Sequence, residues 1–173
     1  MIELTLDQVS VVENKNQVDL RTLFDSSIDD MNNGTFWFPA DLQSNESKFE
    51  YFENVVSNMF SDNETFAYKR TIAGKDVVFH IGKRIGTAFV YVIGLVTSID
   101  GSKSWIYKNE AYEQQMQFLI NNNFTGVILN ARKDSDAEKH VIERYTNLGA
   151  GIQHLTNLGE VRNTLIKFPI YNV

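Results

Sequence analysis

Three side chains that can exchange protons lie on or beside segments with regular apolar patterns. His80 and His154 occupy alternating positions of two candidate strands, and Tyr145 lies on the apolar face of a candidate helix. An imidazole titrates near neutrality and can deprotonate an ammonium group directly or through water. A phenol can act as a general acid. Each residue also has a structural interpretation: the histidines as ordinary strand residues, and the tyrosine as packing between Val141 and Leu148.

A polar loop follows the most apolar segment of the chain. It spans residues 98–104 (SIDGSKS) and leads into a candidate helix that begins near Trp105. Amides at a helix N-terminus bind phosphate groups, and Lys103 adds a positive charge. Asp100 has the wrong charge for such a site, and the indole that follows the loop is bulky. The residues of the loop therefore argue both for and against a bound anion.

The composition excludes several kinds of chemistry. The chain has 173 residues and no cysteine, so it has no disulfide and no thiolate nucleophile. With three histidines the chain is also poorly equipped for an all-histidine zinc site, and we predict no metal. A net charge of -6 opposes binding to nucleic-acid phosphates, so we predict no nucleic-acid partner. The length predicts one domain over residues 1–173.

The N-terminal sequence MIELTLDQVS carries acidic residues where a signal peptide needs a basic and then an apolar stretch. Nowhere does an apolar run approach the roughly 18 residues that cross a bilayer. We therefore expect a cytoplasmic protein with no membrane partner.

Apolar residues at three- and four-residue steps predict two helices, at 18–32 and 46–61. The spacing then changes to two and predicts three strands, at 65–72, 77–81 and 88–96, with a turn at 82–86 before the third. The third strand is apolar on both faces, which predicts a central strand covered on both sides.

Gly94 lies inside this third strand and has no side chain to pack. It indicates a bulge or a place where another group approaches the backbone closely.

The second half of the chain predicts a helix at 105–123 and a strand at 125–130 that runs parallel to strand 88–96. Ser135 and Glu138 match a capping box at the start of a fourth helix. An antiparallel hairpin, from Ile152 to Ile170, closes the chain. An additional strand is expected near the N-terminus, at Ile2–Leu6 or Val9–Val12.

This order of elements resembles that of the Gcn5-related N-acetyltransferase superfamily, and the segment ERYTNLGAG (Glu143 to Gly151) has a similar texture. The resemblance implies an α/β (α+β) fold, acyl-CoA N-acyltransferase-like, with a mixed, splayed sheet of about seven strands and four helices. It also implies acetyl-CoA as co-substrate, no metal, and direct attack of an amine on the thioester, with Tyr145 as acid. His80 is our candidate base.

In that family the loop after the innermost strand usually reads Arg/Gln-x-x-Gly-x-Gly/Ala and wraps the coenzyme A pyrophosphate. This chain keeps one of the glycines. The cofactor-binding residues that the resemblance implies are Gly94, Leu95, Val96, Thr97, Gly101, Ser102, Lys103, Ser104, Trp105 and Asn130.

Three consecutive aromatic residues, Phe36, Trp37 and Phe38, lie between the first two helices and cannot all point inward. In acetyltransferase-like folds this segment borders the acceptor pocket, so the residues are candidates for substrate binding. The structural interpretation is a loop tucked against the core.

Two further classes of function stay open beside acyl transfer. The degenerate loop and the absence of an acid on strand 88–96 also fit a binding or assembly module on the same fold, and another α/β fold is a third alternative. The acceptor implied by the resemblance is a small-molecule amine or a protein amine. A homodimer is compatible with each of these.

Overall fold

In a computed structural model of the chain, the described residues are 7–99, 101–103 and 108–169. The strands are β1 Asp7–Val11, β2 Thr65–Ile72, β3 Lys75–Ile85, β4 Ala88–Val96, β5 Gly126–Arg132, β6 Gly151–Leu158 and β7 Val161–Lys167. The helices are α1 Leu20–Asp30, α2 Asn45–Phe60, α3 Asn109–Asn121 and α4 Asp136–Asn147. The strands form one mixed sheet in the order β1-β2-β3-β4-β5-β7-β6, which confirms the predicted fold class.

Side-chain caps start three of these helices. Asp19 precedes α1, and its carboxylate accepts a hydrogen bond from the amide of Thr22. Ser44 before α2 and Ser135 before α4 accept in the same way. These caps satisfy amides that have no partner inside the helix. Of the described helices, none is both long and apolar enough to cross a membrane.

The pairing of β4 with β5 carries the topology. The strands are parallel, with Ala88 opposite Gly126 and Val90 opposite Ile128. The predicted parallel pair is confirmed, and α3 lies between the two strands in sequence. The pairs β1–β2, β5–β7 and β6–β7 are antiparallel. The predicted hairpin at the end of the chain is therefore confirmed as β6 and β7, with Ile170 outside the described residues.

The chain divides into two compact units. The first comprises the residues up to Gly82 together with Val92–Lys103, and the second comprises Lys83–Tyr91 with the residues from 104 onward. The core of the first unit lies between the apolar stripe of α1 and α2 and the facing strands. Its buried members are Val12, Val18, Leu20, Leu23, Phe24, Met31, Phe52, Val56, Ala67, Phe79, Ile81, Ile93 and Leu95.

The second unit has an aromatic core of its own. Phe89 and Phe124 are both buried, and their rings meet edge to face with centroids 5.6 Å apart. Arg84 lies over Phe124 at 3.8 Å from the ring centroid. Glu138 is also buried and accepts a hydrogen bond from Arg162 at 2.9 Å, which joins α4 to β7. Glu138, which the sequence indicated only as part of a capping box, thus also forms a buried ion pair.

Two sequence predictions are wrong. The turn predicted at 82–86 is strand up to Ile85, because β3 continues through the buried Gly82 and the chain turns only at Gly86. The strand 88–96 is not covered on both faces: Phe89 is buried, whereas Val92 is 51% exposed. Valine is common in half-exposed strands as well as in buried ones. A run of apolar residues therefore does not show that both faces of the strand are buried.

A glycine substitution pair tests the close approach of β5 and β7. A Cβ at Gly126 would lie 2.5 Å from the carbonyl oxygen of Ile166, whereas a Cβ at Gly151 would have nothing within 4 Å. We expect Gly126→Ala to lower the free energy of unfolding by about 1–3 kcal/mol, because backbone must move. Gly151→Ala is the matched control and should cost little. Equal urea midpoints for the two variants would contradict this packing.

Candidate functional site

The end of β4 is held by hydroxyl groups of α1. Ser27 Oγ donates to the carbonyl oxygen of Val96 at 3.1 Å, and the Val96 amide donates to the same Oγ at 3.3 Å. The hydroxyls of Ser26 and Thr97 lie 2.7 Å apart. The Thr97 amide donates to the carbonyl oxygen of Val77 at 2.9 Å. The backbone groups of residue 96 and the amide of residue 97 therefore have partners within the first unit.

The loop after β4 contains a tight turn. Ile99 and Ser102 exchange two backbone hydrogen bonds, of 2.8 and 3.0 Å. Between them Gly101 has φ +77°, a conformation that glycine adopts without strain. The Ser102 amide, a candidate pyrophosphate ligand, thus donates to a carbonyl oxygen of its own loop.

The basic side chain of the loop, Lys103, is directed at α1. Lys103 Nζ donates to the carbonyl oxygen of Ser26 at 2.5 Å. An ammonium group near the end of a helix is favourable because the terminal carbonyl groups carry partial negative charge. Asp100, Ser104 and Trp105 lie outside the described residues, as does the predicted start of α3.

Gly94 packs against the imidazole of His80 on β3. A Cβ at residue 94 would lie 3.0 Å from His80 Cδ2 and 3.3 Å from Nε2, tighter than side chains normally pack. Any larger residue would force the ring to shift. The predicted close approach at this glycine is confirmed, and the approaching group is a side chain of the neighbouring strand.

Tyr68 of β2 orients the same ring. Its hydroxyl lies 2.8 Å from His80 Nδ1, and the two rings meet edge to face with centroids 5.2 Å apart. Tyr68 is fully buried. Nδ1 is therefore engaged by the hydroxyl of Tyr68. The other ring nitrogen, Nε2, lies on the side of Gly94.

Burial lowers the pKa of His80 to about 4, because the charged imidazolium would lose its hydration. The ring is therefore neutral at neutral pH. A lysine-like ammonium group has a pKa near 10.4, roughly six units higher, so His80 cannot hold a proton taken from such a group. It can only accept a proton transiently from a much stronger acid.

Tyr145 is buried in the second unit. Its ring stacks on Phe168 with centroids 6.2 Å apart and meets the edge of Tyr112 at 5.4 Å. Its hydroxyl shares a hydrogen bond with Tyr91 of β4. Burial raises the pKa of Tyr145 well above 10, so the phenol is protonated at neutral pH. The ring is thus packed, as the structural interpretation expected, but its observed partners are Phe168 and Tyr112, and its hydroxyl has a partner in Tyr91.

Tyr91 is the residue of this pair that sequence reasoning missed. It is partly exposed, whereas Tyr145 is 2% exposed. The signal was present, because Tyr91 has the only polar side chain in the segment AFVYVIGLV. Through it, a buried phenol is connected by one hydrogen bond to a more accessible one.

The remaining candidate cofactor residues differ in accessibility. Leu95 is buried in the core of the first unit, which leaves only its backbone for a ligand. Asn130 is exposed on β5, opposite Asn163 of β7.

His154 lies on the exposed strand β6 with Nδ1 2.9 Å from Thr164 Oγ1. Within the described ranges, no group of three or more histidine, aspartate and glutamate side chains could hold a metal ion.

The three consecutive aromatic residues split between core and surface. Phe36 and Phe38 pack against the first core, with ring centroids 4.9 Å apart, and Phe36 also meets Phe52 at 5.4 Å. Trp37 is 72% exposed. All three border a pocket of about 360 Å³ in the first unit. The interpretation of a loop tucked against the core is therefore correct for Phe36 and Phe38, and substrate binding by the segment stays a prediction.

Solved structures share this fold. PaiA N-acetyltransferase from Thermoplasma acidophilum, in complex with coenzyme A, has a TM-score of 0.59 and 12% identity over 93% of this chain and 99% of that chain. A mutant of the spermidine N-acetyltransferase from Vibrio cholerae has a TM-score of 0.57 and 15% identity, covering 93% of each chain.

An aminoglycoside 6'-acetyltransferase type Ii has a TM-score of 0.53 and 18% identity over 96% of this chain and 99% of that chain. No protein-family model matches the chain, and no curated protein matches its sequence. The structural likenesses show that the protein has the fold of the Gcn5-related N-acetyltransferases.

The low pKa of His80 predicts a loss of stability in mild acid. The His80 imidazole binds a proton near pH 6.5 in the unfolded chain, whereas it does so only near pH 4 in the folded chain. Stability from the neutral ring is thus fully present above about pH 6.5 and falls as the pH approaches 4. Urea unfolding at about pH 7.5 and about pH 5 should show a smaller loss for His80→Gln than for the wild type. Equal losses would contradict the burial of this ring.

Proposed function

We propose that the protein transfers an acyl group, acetyl in the simplest case, from acyl-coenzyme A to an amine. The observation that carries this proposal is the fold, with its parallel β4–β5 pair, which N-acetyltransferases share over 93% of this chain. The coenzyme A in the Thermoplasma structure supports acyl-coenzyme A as co-substrate. A homodimer stays a prediction.

We assign the donor to the end of β4 and the loop that follows. Its thioester and pantetheine arm would lie along residues 94–97, and its pyrophosphate at residues 101–103. The donor contacts of Ser104, Trp105 and Asn130 stay predictions. The glycine turn and the nearby ammonium of Lys103 support an anion at this loop. Because Ser27 bonds both backbone groups of Val96, a donor that pairs with them has to displace its hydroxyl.

The reaction is direct attack. The amine nitrogen bonds to the thioester carbonyl carbon, the carbon–sulfur bond breaks, and the sulfur leaves with the electron pair. A cysteinyl intermediate is excluded because the chain has no cysteine. The nitrogen loses one proton and the sulfur gains one. We assign His80 Nε2 the nitrogen's proton only after attack, because a ring with a pKa of about 4 releases it again at once.

For the sulfur's proton we keep Tyr145 as the candidate acid, acting together with Tyr91. The buried phenol has the protonated state that an acid needs, although its raised pKa opposes complete transfer. A thiol has a pKa near 8.5, so a thiolate takes a phenol's proton only with help from its surroundings. We assign the partly exposed Tyr91 the contact with the sulfur and Tyr145 the orientation of that phenol.

The acceptor we propose is a small-molecule amine. The spermidine N-acetyltransferase and the aminoglycoside acetyltransferase are named for such acceptors, which supports this class without choosing a member. A protein amine is the alternative.

A specific observation favours a second function, a non-catalytic binding module. The Val96 backbone groups, the Ser102 amide and the Lys103 ammonium all have partners inside the protein. In this alternative, these contacts have replaced the donor.

A titration with acetyl-coenzyme A separates the two functions. At about 100 times its dissociation constant the donor should stabilise the fold by ~2.7 kcal/mol, seen as a raised melting temperature. Gly101→Val should weaken binding at least about tenfold, because valine is strained at φ +77° and the turn is lost. Gly159→Val is the matched control, with φ +62° in the turn between β6 and β7. Equal affinity in both variants, or no stabilisation of the wild type, would favour the binding module.

Turnover of tyrosine variants tests the acid. Tyr145→Phe keeps the ring packing and removes the hydroxyl, so kcat should fall by about 10²-fold while donor affinity is retained. The kcat of Tyr91→Phe should fall by a similar factor if the Tyr91 hydroxyl contacts the sulfur. Tyr112→Phe, which keeps its ring edge on Tyr145, is the control and should retain its rate. Full turnover in both test variants would leave no phenol as acid.

A further inference from the structure

The segment between α1 and α2 forms a pocket in the first unit with both an apolar wall and a charge. We call it the Trp37 pocket; its volume is about 360 Å³, and its lining includes Phe36, Trp37, Phe38, Leu42 and Lys48.

The apolar wall combines fixed rings with an exposed one. Phe38 meets Phe24 of the core edge to face at 6.4 Å, and Phe36 meets Tyr51 of α2 at 6.2 Å. These rings are held by the core. Trp37 remains 72% exposed, the second largest exposed fraction among the large apolar residues that the structure describes. An indole can cover an apolar ligand at little cost in conformational freedom.

Lys48 supplies the charge. Its ammonium group donates to Asn32 Oδ1 at 2.8 Å and lies 5.5 Å from the ring centroid of Phe38. Within the described part of the chain, Lys48 forms no ion pair, although Arg21 nearby on α1 pairs with Glu46 of the same helix α2. Of the described residues that line the pocket, only Lys48 is charged.

These features together select a ligand. We infer that the Trp37 pocket binds a small molecule that joins an aromatic or bulky apolar group to a carboxylate, and that Lys48 selects the carboxylate. An ammonium group has three donors, and one of them is used by Asn32. A carboxylate can take the others in a charge-assisted hydrogen bond while the apolar group packs on Trp37.

The charge also excludes ligands. A polyamine or another cation would meet an ammonium group at the pocket wall, with no carboxylate among the described lining residues to offset the repulsion. If the proposed acyl transfer is correct, the ligand is the amine acceptor, and the acceptor then belongs to the class of aromatic or bulky amino acids. That last step rests on the proposed function; the binding itself does not.

Three related probes test the inference on the full chain without acyl-coenzyme A. They are 3-phenylpropionate, 3-phenylpropanamide and 3-phenylpropylamine, which differ in charge but share the ring and chain length. Binding is followed by tryptophan fluorescence, excited at a wavelength that tyrosine does not absorb, and repeated in Trp105→Phe, so that Trp37 is the only tryptophan. We expect saturable binding of the carboxylate, at least about tenfold weaker binding of the amide, and the weakest binding of the amine.

Lysine variants identify the selecting group. Lys48→Met keeps the apolar stem over Phe38 and should reduce carboxylate affinity to that of the amide, whereas Lys48→Arg should retain it. Lys139→Met removes one positive charge from the exposed face of α4 and is the matched control. Circular dichroism confirms that each variant is folded.

Equal affinity for the carboxylate and the amide, tighter binding of the amine, no saturable binding, or an unchanged Lys48→Met variant would each overturn the inference. Because the assay omits acyl-coenzyme A, these outcomes are independent of whether the donor binds. A protein that is stabilised by acetyl-coenzyme A yet binds none of the probes would overturn this inference and leave the proposed acyl transfer standing.

Discussion

The hydroxyl contacts between α1 and the end of β4 are the interaction on which the account of the site depends. Ser27 bonds both backbone groups of Val96, and Lys103 bonds the carbonyl oxygen of Ser26. These contacts connect a helix, a strand end and the following loop, at the segment that we assign to the donor. A hydrogen bond exchanged for another of equal quality costs little net free energy, so a donor that replaces these partners can bind. A donor that cannot replace them leaves buried polar groups unsatisfied.

The two candidate proton-transfer groups share one physical property. Burial shifts the pKa of His80 downward and that of Tyr145 upward, so each is held in its neutral form. Neutral groups in a poorly hydrated setting orient reactants by hydrogen bonds and do not store charge. This explains why we assign His80 a transient role and give Tyr145 a partner in Tyr91. In the proposed reaction, positioning of the amine against the thioester would therefore supply most of the acceleration.

Local sequence patterns predicted the helices and strands, but they did not predict the contacts between residues that are far apart in the sequence. The spacing of apolar residues predicted helices and strands close to their observed bounds. Gly94 indicated a close approach to the backbone, because the sequence itself shows that this position has no side chain. The hydrogen bonds of Ser27 to Val96 join residues 69 positions apart, and no local pattern encodes them. The same holds for the Tyr91–Tyr145 pair. The exposure of Val92 depends on what covers the strand, which its own sequence does not state.

The central claim is that acyl-coenzyme A binds along the end of β4 and displaces the contacts of Ser27. The most direct measurement is the change in backbone amide chemical shifts when acetyl-coenzyme A is added to the ¹⁵N-labelled protein. The account predicts that the largest changes occur at the Val96 and Ser102 amides, with little change in the hairpin of β6 and β7. Saturating donor with unchanged shifts at residues 94–103, or changes centred on the hairpin, would contradict it.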